Sequence, residues 1–249
     1  MEQEERSAAA GIGQPSARRL LYGGICWIAA LEFFVAQAIA QAAWKGSHYS
    51  LVSNAISDLG VTACGKITIE GQAGYYCSPL HNVMNASFVV TGVLMLLGLY
   101  LTRPVWPGSR PTRWAFALFT LAGIGKIIVG LAPGNVNYGL HSLGSLGMIL
   151  GNIAVILFGL AVSATNDRWI RRISLALGII GIIGAVFFVG HRALGGAGAA
   201  ERVADYPVFA WMFVVGIRSV RWPRRPQSLP TAGLRPGTSP ASGRPSGRR

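Results

Sequence analysis

Four side chains near one predicted face of a membrane have the chemistry to bind a metal ion. His81, His141 and His191 stand at the ends of three different apolar segments, and Asp58 lies in a polar loop. Three imidazoles and a carboxylate suit zinc, which accepts nitrogen and oxygen ligands and can activate a bound water. No His-x-x-x-His or Glu-x-x-His pair fixes a ligand geometry. The alternative is that these histidines lie at the membrane interface and only form hydrogen bonds. The sequence therefore does not decide whether the protein binds a cofactor, with zinc as the candidate.

A second group of polar residues could transfer protons or bind a ligand. Asp58 and Glu201 are the candidate catalytic acid and base. An ordinary interfacial ion pair of Glu201 with Arg202 is the alternative, because exposed pairs need no function. Lys126 lies inside an apolar segment, where it either faces a site in the bundle or snorkels to the head groups. The candidate binding residues are Ser53, Asn54, Ser57, Asn85, Lys126, Asn152 and Arg202.

Six apolar segments position these residues and predict an all-α membrane protein. Each has about the 20 residues that a helix needs to cross the bilayer, although the sixth is short and needs help from its flanks. The mean hydropathy is +0.44 and only 12% of residues are charged, which argues against a soluble helical core. None of the segments is clearly broken. They are Leu20–Ala43, Leu80–Leu101, Arg113–Leu131, Gly139–Val162, Ile170–Val189 and Val203–Val220.

The basic residues are distributed unequally between the two sides of these spans. The side that holds both termini carries 17 of the 22 Lys and Arg, and the other side carries Lys45, Lys66, Arg192 and Arg202. The positive-inside rule therefore predicts cytoplasmic termini, in agreement with the even number of spans. We expect a plasma-membrane protein. Its net charge of +13 reflects topology and a basic tail, so nucleic acid is not an expected partner.

The domain organisation follows from composition. Residues 18–220 form the predicted membrane domain, with an outer loop at 44–79. Residues 1–17 form a polar arm and residues 221–249 a tail rich in Pro, Ser, Gly and Arg, and both are predicted to be disordered and cytoplasmic. Cys64 and Cys77 both fall in the outer loop, where an oxidising compartment favours a disulfide; two free thiols are the alternative.

Several motifs resemble one bacterial family of membrane proteins, the domain-of-unknown-function family numbered 998. They are the runs Tyr49–Gly60 and Cys77–Phe88, the tripeptide Gly139-Leu140-His141, and the run Gly198–Arg202. The resemblance covers about Leu20 to Val220, and its motifs are fairly specific in combination. It implies a single six-helix domain in the plasma membrane and no established activity.

Three classes of function remain open from the sequence. The first is a binding or assembly protein whose polar outer face holds a lipid head group or a membrane-protein partner. The second is an outer-leaflet lipid hydrolase or transferase, with or without zinc, loosely similar to membrane hydrolases of the alkaline ceramidase type but without their ordered motifs. The third is a small-solute transporter, against which stand the lack of an internal repeat and of a broken span. The bilayer is the partner common to all three.

Overall fold

The computed structural model describes residues 17–69, 71–162, 167–190 and 195–221, and it confirms six helices long and apolar enough to cross a membrane. The first span comprises α1 (Ala17–Ala29) and α2 (Glu32–Ala42), and the second is α3 (His81–Thr102) with a short 3-10 turn, Arg103–Val105. The third is α4 (Arg110–Leu131), and the fourth comprises α5 (Tyr138–Ser145) and α6 (Gly147–Val162). The fifth is α7 (Arg168–Val189) and the sixth is α8 (Ala197–Val220).

Consecutive spans pack against one another, and the sixth returns to the first, so the six spans form a closed ring. The sixth span also contacts the fourth across the interior. Glycines permit close approach where the spans cross. A Cβ on Gly24 would come within 3.0 Å of the backbone nitrogen of Val220, on the sixth span. Small residues thus let backbones meet in a bundle that lipid cannot drive together.

Aromatic side chains fill the interior toward the end that carries the predicted cytoplasmic loops. The ring of Trp211 lies 5.1 Å from that of Phe158 and 5.3 Å from that of Trp27, and all three side chains are fully buried. The indole nitrogen of Trp211 donates to the Ser174 hydroxyl at 2.8 Å, and that of Trp27 donates to the Met95 carbonyl at 3.2 Å. These two indole nitrogens are therefore paired, as most buried polar groups are, whereas the indole nitrogen of Trp106 in the same cluster has no partner among the described residues.

One sequence expectation about the spans is wrong. The sixth span begins at Ala197 rather than Val203, and its 24 residues make it about 36 Å long, enough to cross without help from its flanks. The first and fourth spans each remain one helix, Ala17–Ala42 and Tyr138–Val162, but their regular α-helical pattern is interrupted at 30–31 and at Leu146. Apolarity alone does not reveal such interruptions, because the flanking residues stay equally hydrophobic.

The outer loop contains a small β-hairpin that the sequence did not suggest. Strand β1 (Gly65–Ile69) pairs antiparallel with β2 (Gln72–Tyr76). The structure joins Cys64 and Cys77, the residues on either side of the hairpin, in a disulfide. The remaining part of the loop, residues 49–60, folds over the beginning of α8 and ends in a 3-10 turn, Ser57–Gly60.

Candidate functional site

Arg202 holds residues 49–60 against the first turns of α8. The whole residue is only 8% exposed. One terminal nitrogen donates to the carbonyls of Leu51 and Asn54, both at 2.8 Å, and to that of Gly198 at 3.0 Å. The other terminal nitrogen donates to the Tyr49 hydroxyl at 2.8 Å. We name residues 49–60 together with 197–202 the outer cap, because this guanidinium joins them into one unit.

The glycines of α8 allow the loop backbone to come this close. A Cβ on Gly198 would lie 2.8 Å from the Leu51 carbonyl oxygen, a separation that real Cβ atoms do not show. The Ala199 N–H donates to the Val52 carbonyl at 2.9 Å. One N–H group at the beginning of α8 is therefore satisfied by the loop, as helix N-termini require. The glycines before Glu201 therefore permit a tight contact with the loop.

The two predicted catalytic carboxylates lie in the outer cap and accept hydrogen bonds from the loop. Glu201 accepts from the backbone N–H of Ile56. Asp58 accepts from the Ala55 N–H at 3.0 Å and from the Asn54 side-chain amide at 3.3 Å. Both carboxylates therefore fix the loop conformation. Glu201 does not pair with Arg202 in an ion pair, because the terminal nitrogens of Arg202 point at oxygens of the loop and of α8.

Burial controls the protonation of the cap. It raises the pKa of Asp58 from 3.8 to about 6, although the hydrogen bonds from Asn54 and Ala55 and the charge of Arg202 act in the opposite direction. Burial also raises the pKa of the Tyr49 hydroxyl well above its usual range, and Arg202 offsets only part of that rise. Tyr49 is thus a neutral donor, to the Ala55 carbonyl at 2.9 Å.

The predicted binding residues of the loop are placed differently. Ser53 is exposed on the outer surface beside Leu51 and Val52, whose exposed fractions are 48% and 46%. Ser57 begins the 3-10 turn and is partly buried. Asn85, on α3, donates to the Gly60 carbonyl at 2.9 Å, so it anchors the end of the cap to the second span.

Lys126 and Asn152 lie deeper, away from the cap. Lys126 forms an ion pair with Asp205, with its ammonium 2.7 and 2.6 Å from the two carboxylate oxygens. The ammonium also lies 5.0–5.5 Å from the centres of three phenylalanine rings, Phe33, Phe88 and Phe209. Of the two interpretations left open, the structure therefore places Lys126 in the bundle interior.

The structure connects Asn152 to the sixth span. Its amide nitrogen donates to the Ala204 carbonyl at 2.7 Å and to the Met148 carbonyl at 2.9 Å. The side-chain oxygen is buried and has no partner among the described residues. Beside the neighbouring ion pair lies a cavity of about 10 Å³, room for about one water molecule.

The predicted zinc ligands that the structure describes, His81 and His141, each contact a backbone carbonyl. The ring Nδ1 of His81 lies 2.8 Å from the Ser78 carbonyl oxygen, and that of His141 lies 2.9 Å from the Ala132 carbonyl oxygen. His191 lies outside the described residues. Within residues 17–69, 71–162, 167–190 and 195–221, no group of three His, Cys, Asp or Glu side chains is arranged to hold a metal ion. Zinc binding stays a prediction.

Sequence reasoning missed the polar contacts of α2. Glu32 lies within the first span and accepts hydrogen bonds from Ser87 and Thr91 of α3. Gln37 exchanges hydrogen bonds with the Tyr206 hydroxyl at 2.9 and 3.0 Å. A search for carboxylates within the spans would have found Glu32, because it is the only acidic residue between Leu20 and Ala43.

Comparison with known proteins gives one match. The model of the family described as "Protein of unknown function (DUF998)" matches residues 27–218, which include parts of all six spans and the whole outer loop. No curated protein and no solved structure matches the chain.

Proposed function

The chain belongs to the DUF998 family of proteins of unknown function, and we propose that it is a non-catalytic binding or assembly protein of the membrane. Its binding surface is the outer cap, and its partner is a protein that docks on Leu51, Val52 and Ser53. The observation that carries this proposal is the set of hydrogen bonds from Arg202, which fixes the loop backbone in one conformation.

Preorganisation of the loop favours binding. A loop that is already ordered loses little conformational entropy when a partner docks, so more of the contact energy appears as affinity. The loop exposes two neighbouring aliphatic side chains and one hydroxyl. An aliphatic centre with polar groups around it is the usual composition of a protein interface. Single exposed apolar residues are common, so the rigidity beneath Leu51 and Val52 supports the interpretation more than their exposure does.

The orientation of the Arg202 guanidinium, toward oxygens of the protein itself, favours a protein partner over a lipid head group. The sequence suggested Arg202 as a ligand for a head group, and such a role needs accessible guanidinium donors. Here both terminal nitrogens donate to protein oxygens, and Nε, which has no partner among the described residues, is buried. An anionic head group would have to displace several charge-assisted hydrogen bonds to reach it.

We also propose that the cap faces the extracytoplasmic side of the plasma membrane. The 17 of 22 basic residues on the opposite side support this orientation by the positive-inside rule. The disulfide beside the cap is consistent with an oxidising compartment. A reporter that is active only outside the cytoplasm, inserted at Gly71 in the turn of the hairpin, tests the orientation; activity of the same reporter at the carboxy terminus instead would contradict it.

Site-specific crosslinking in living cells tests the binding surface. A photoreactive amino acid at Val52 is expected to give one discrete product of higher mass that contains protein. The same group at Thr68, which is exposed on the hairpin, is the matched control and should not give that product. A second variant carries the photoreactive group at Ser53 together with Val52→Asp, and the charge should abolish the product. Crosslinks only to lipid, or equal products from Val52 and Thr68, would contradict a protein partner.

Transport of a small solute is the second candidate, and one observation favours it. The α-helical pattern of the first and fourth spans is interrupted at 30–31 and at Leu146. Interrupted helices near the middle of the membrane are typical of transporters. In a variant whose only thiol is introduced at Met148, beside the interior cavity, a transporter would admit water-soluble thiol reagents from both sides. Labelling from neither side would exclude such a path.

A further inference from the structure

Glu32 is a carboxylate inside the membrane whose hydrogen-bond partners are two hydroxyl groups. The Ser87 hydroxyl lies 3.0 Å from each carboxylate oxygen, and the Thr91 hydroxyl lies 3.1 Å from one of them. Ser87 and Thr91 are one helical turn apart on α3, so both point to the same place on α2. Thr91 is fully buried and Ser87 is 4% exposed.

The position of Glu32 makes an uncompensated charge expensive. It lies ten residues before the end of α2 at Ala42, about 15 Å of helix, which is half of a hydrocarbon core of about 30 Å. An ionised carboxylate at that depth costs roughly 3 kcal/mol even on the mildest scale. Glu32 is the first residue of α2, after the interruption at 30–31. The dipole at a helix N-terminus stabilises a negative charge by only about 0.3–1 kcal/mol. The dipole is therefore too weak to stabilise the anion alone.

No protein cation compensates this charge within the described part of the chain. The ammonium of Lys126 lies over the rings of Phe33 and Phe88, the chain neighbours of Glu32 and Ser87. That ammonium is paired with Asp205. The titratable residues of α3 are His81, about 9 Å along the helix before Ser87, and Tyr100, more than two turns after Thr91. Among residues 17–69, 71–162, 167–190 and 195–221, Glu32 has no ion pair.

We propose that Glu32, Ser87 and Thr91 form a membrane-embedded binding site for a sodium ion. The ion takes the carboxylate and the two hydroxyl oxygens as ligands, since hard cations bind oxygen. It supplies the positive charge that no ion pair among the described residues supplies. The site is separate from the outer cap and does not depend on the binding function proposed above.

Carbodiimide labelling of the full chain in lipid nanodiscs tests this proposal. Dicyclohexylcarbodiimide partitions into the bilayer and reacts with carboxyl groups only when they are protonated. We expect a single adduct at Glu32, located by peptide mass spectrometry and absent from Glu32→Gln. NaCl should protect Glu32 from labelling at constant pH, whereas an equal concentration of choline chloride should not.

Two threonine variants of α3 separate a binding site from a structural contact. Thr91→Val removes a hydroxyl that points at Glu32, whereas Thr102→Val removes one that donates only to the carbonyls of Gly98 and Leu99. Loss of one hydrogen bond to a charged group corresponds to about a tenfold change in cation affinity. For Thr91→Val, about ten times more NaCl should therefore be needed for protection.

Three results would overturn the proposal. The first is folded protein in which Glu32 resists labelling at every salt concentration. The second is labelling that does not respond to sodium. The third is a response that Thr91→Val and Thr102→Val change equally. Folding of each variant is checked by its elution as a single species and by its thermal transition, so a failure to fold is distinguished from a failure to bind.

Discussion

Replacing Asp205 with asparagine is expected to destabilise the bundle strongly, because it leaves the ammonium of Lys126 without its anionic partner. The two charged side chains are 14% and 6% exposed and are joined by contacts of 2.6 and 2.7 Å. Removal of one member of a buried ion pair costs about 3–5 kcal/mol, mainly because the remaining charge is buried and unpaired.

Two features of the structure reduce this cost. Three phenylalanine rings around the ammonium remain in place, and each such contact stabilises a cation by about 0.5–2 kcal/mol. Lys126 is also only five residues from the end of α4 at Leu131, about 7.5 Å, so its side chain can partly snorkel outward. We therefore expect Asp205→Asn to lower the free energy of unfolding by about 2–4 kcal/mol.

A double-mutant cycle measures the coupling between the two charges. The double variant Lys126→Met with Asp205→Asn removes both charges. Burying two neutral side chains costs little free energy, so the stability of the double variant should lie within about 1 kcal/mol of wild type. Unfolding is followed in mixed micelles by titration with denaturing detergent. Asp167→Asn is the control. Its partner Arg218 is 50% exposed, so breaking that pair should cost only about 0–1 kcal/mol.

Additive single-variant effects, or a loss below about 1 kcal/mol for Asp205→Asn, would refute the reasoning. Such a result would mean that Lys126 reaches the head groups in the bilayer and that the pair contributes little to the fold.

Three further outcomes follow from the outer cap and its neighbouring hairpin. Arg202→Lys keeps the positive charge, but a lysine ammonium cannot reach the same set of oxygens. Amide exchange across residues 49–60 should accelerate by an amount that corresponds to a loss of roughly 3 kcal/mol in the stability of the cap. Unchanged exchange would contradict the role of the guanidinium. The pKa of Asp58 is about 6 in the folded cap against 3.8 ordinarily, so the folded cap binds this proton more tightly than the unfolded one. The contribution of this proton to cap stability should therefore be greatest below pH 3.8 and fall as the pH rises to about 6, as measured by amide exchange corrected for its intrinsic rate; Asp58→Asn should remove this contribution. Replacing Cys64 and Cys77 with serine opens a cross-link between residues 13 apart, which should cost the hairpin about 3 kcal/mol and make it susceptible to proteolysis, while the thermal transition of the spans stays unchanged.

The six spans could be predicted from the sequence because each is a long apolar segment, and bilayer thickness restricts what such a segment can do. The interruptions of the α-helical pattern in the first and fourth spans could not be predicted from the sequence. They change hydrogen bonding at 30–31 and at Leu146 without changing hydrophobicity. The start of the sixth span was placed six residues late because Glu201 and Arg202 resemble a loop, although their side chains turn toward residues 49–60.

The composition of the outer cap was predictable, but its internal geometry was not. Sequence reasoning identified Asp58, Glu201 and Arg202 as a polar group at one membrane face, and the structure brings all three to one loop. Sequence reasoning assigned these residues to catalysis and ligand binding because the sequence does not show which way each side chain points. Which oxygens Arg202 contacts depends on how closely the loop approaches Gly198, a distance between segments about 150 residues apart.

The same limit applies to the interior. Lys126 was identified as either an interior or a snorkelling residue, but its partner Asp205 is 79 residues away in the sequence, so the ion pair could not be predicted. Glu32 was missed because one acid among many apolar residues barely changes the hydropathy of a span. Only the packing of α2 on α3 shows that its carboxylate meets the hydroxyls of Ser87 and Thr91.

The most direct test of the proposed function compares photocrosslinking from Val52 in cells that carry either Arg202 or Arg202→Lys. If the cap is a preorganised docking surface, Val52 gives a discrete protein product with Arg202. The yield of that product falls several-fold when lysine loosens the loop, while the amount of protein in the membrane stays the same. A product of equal yield in both backgrounds, or none in either, would contradict the outer cap as the binding surface.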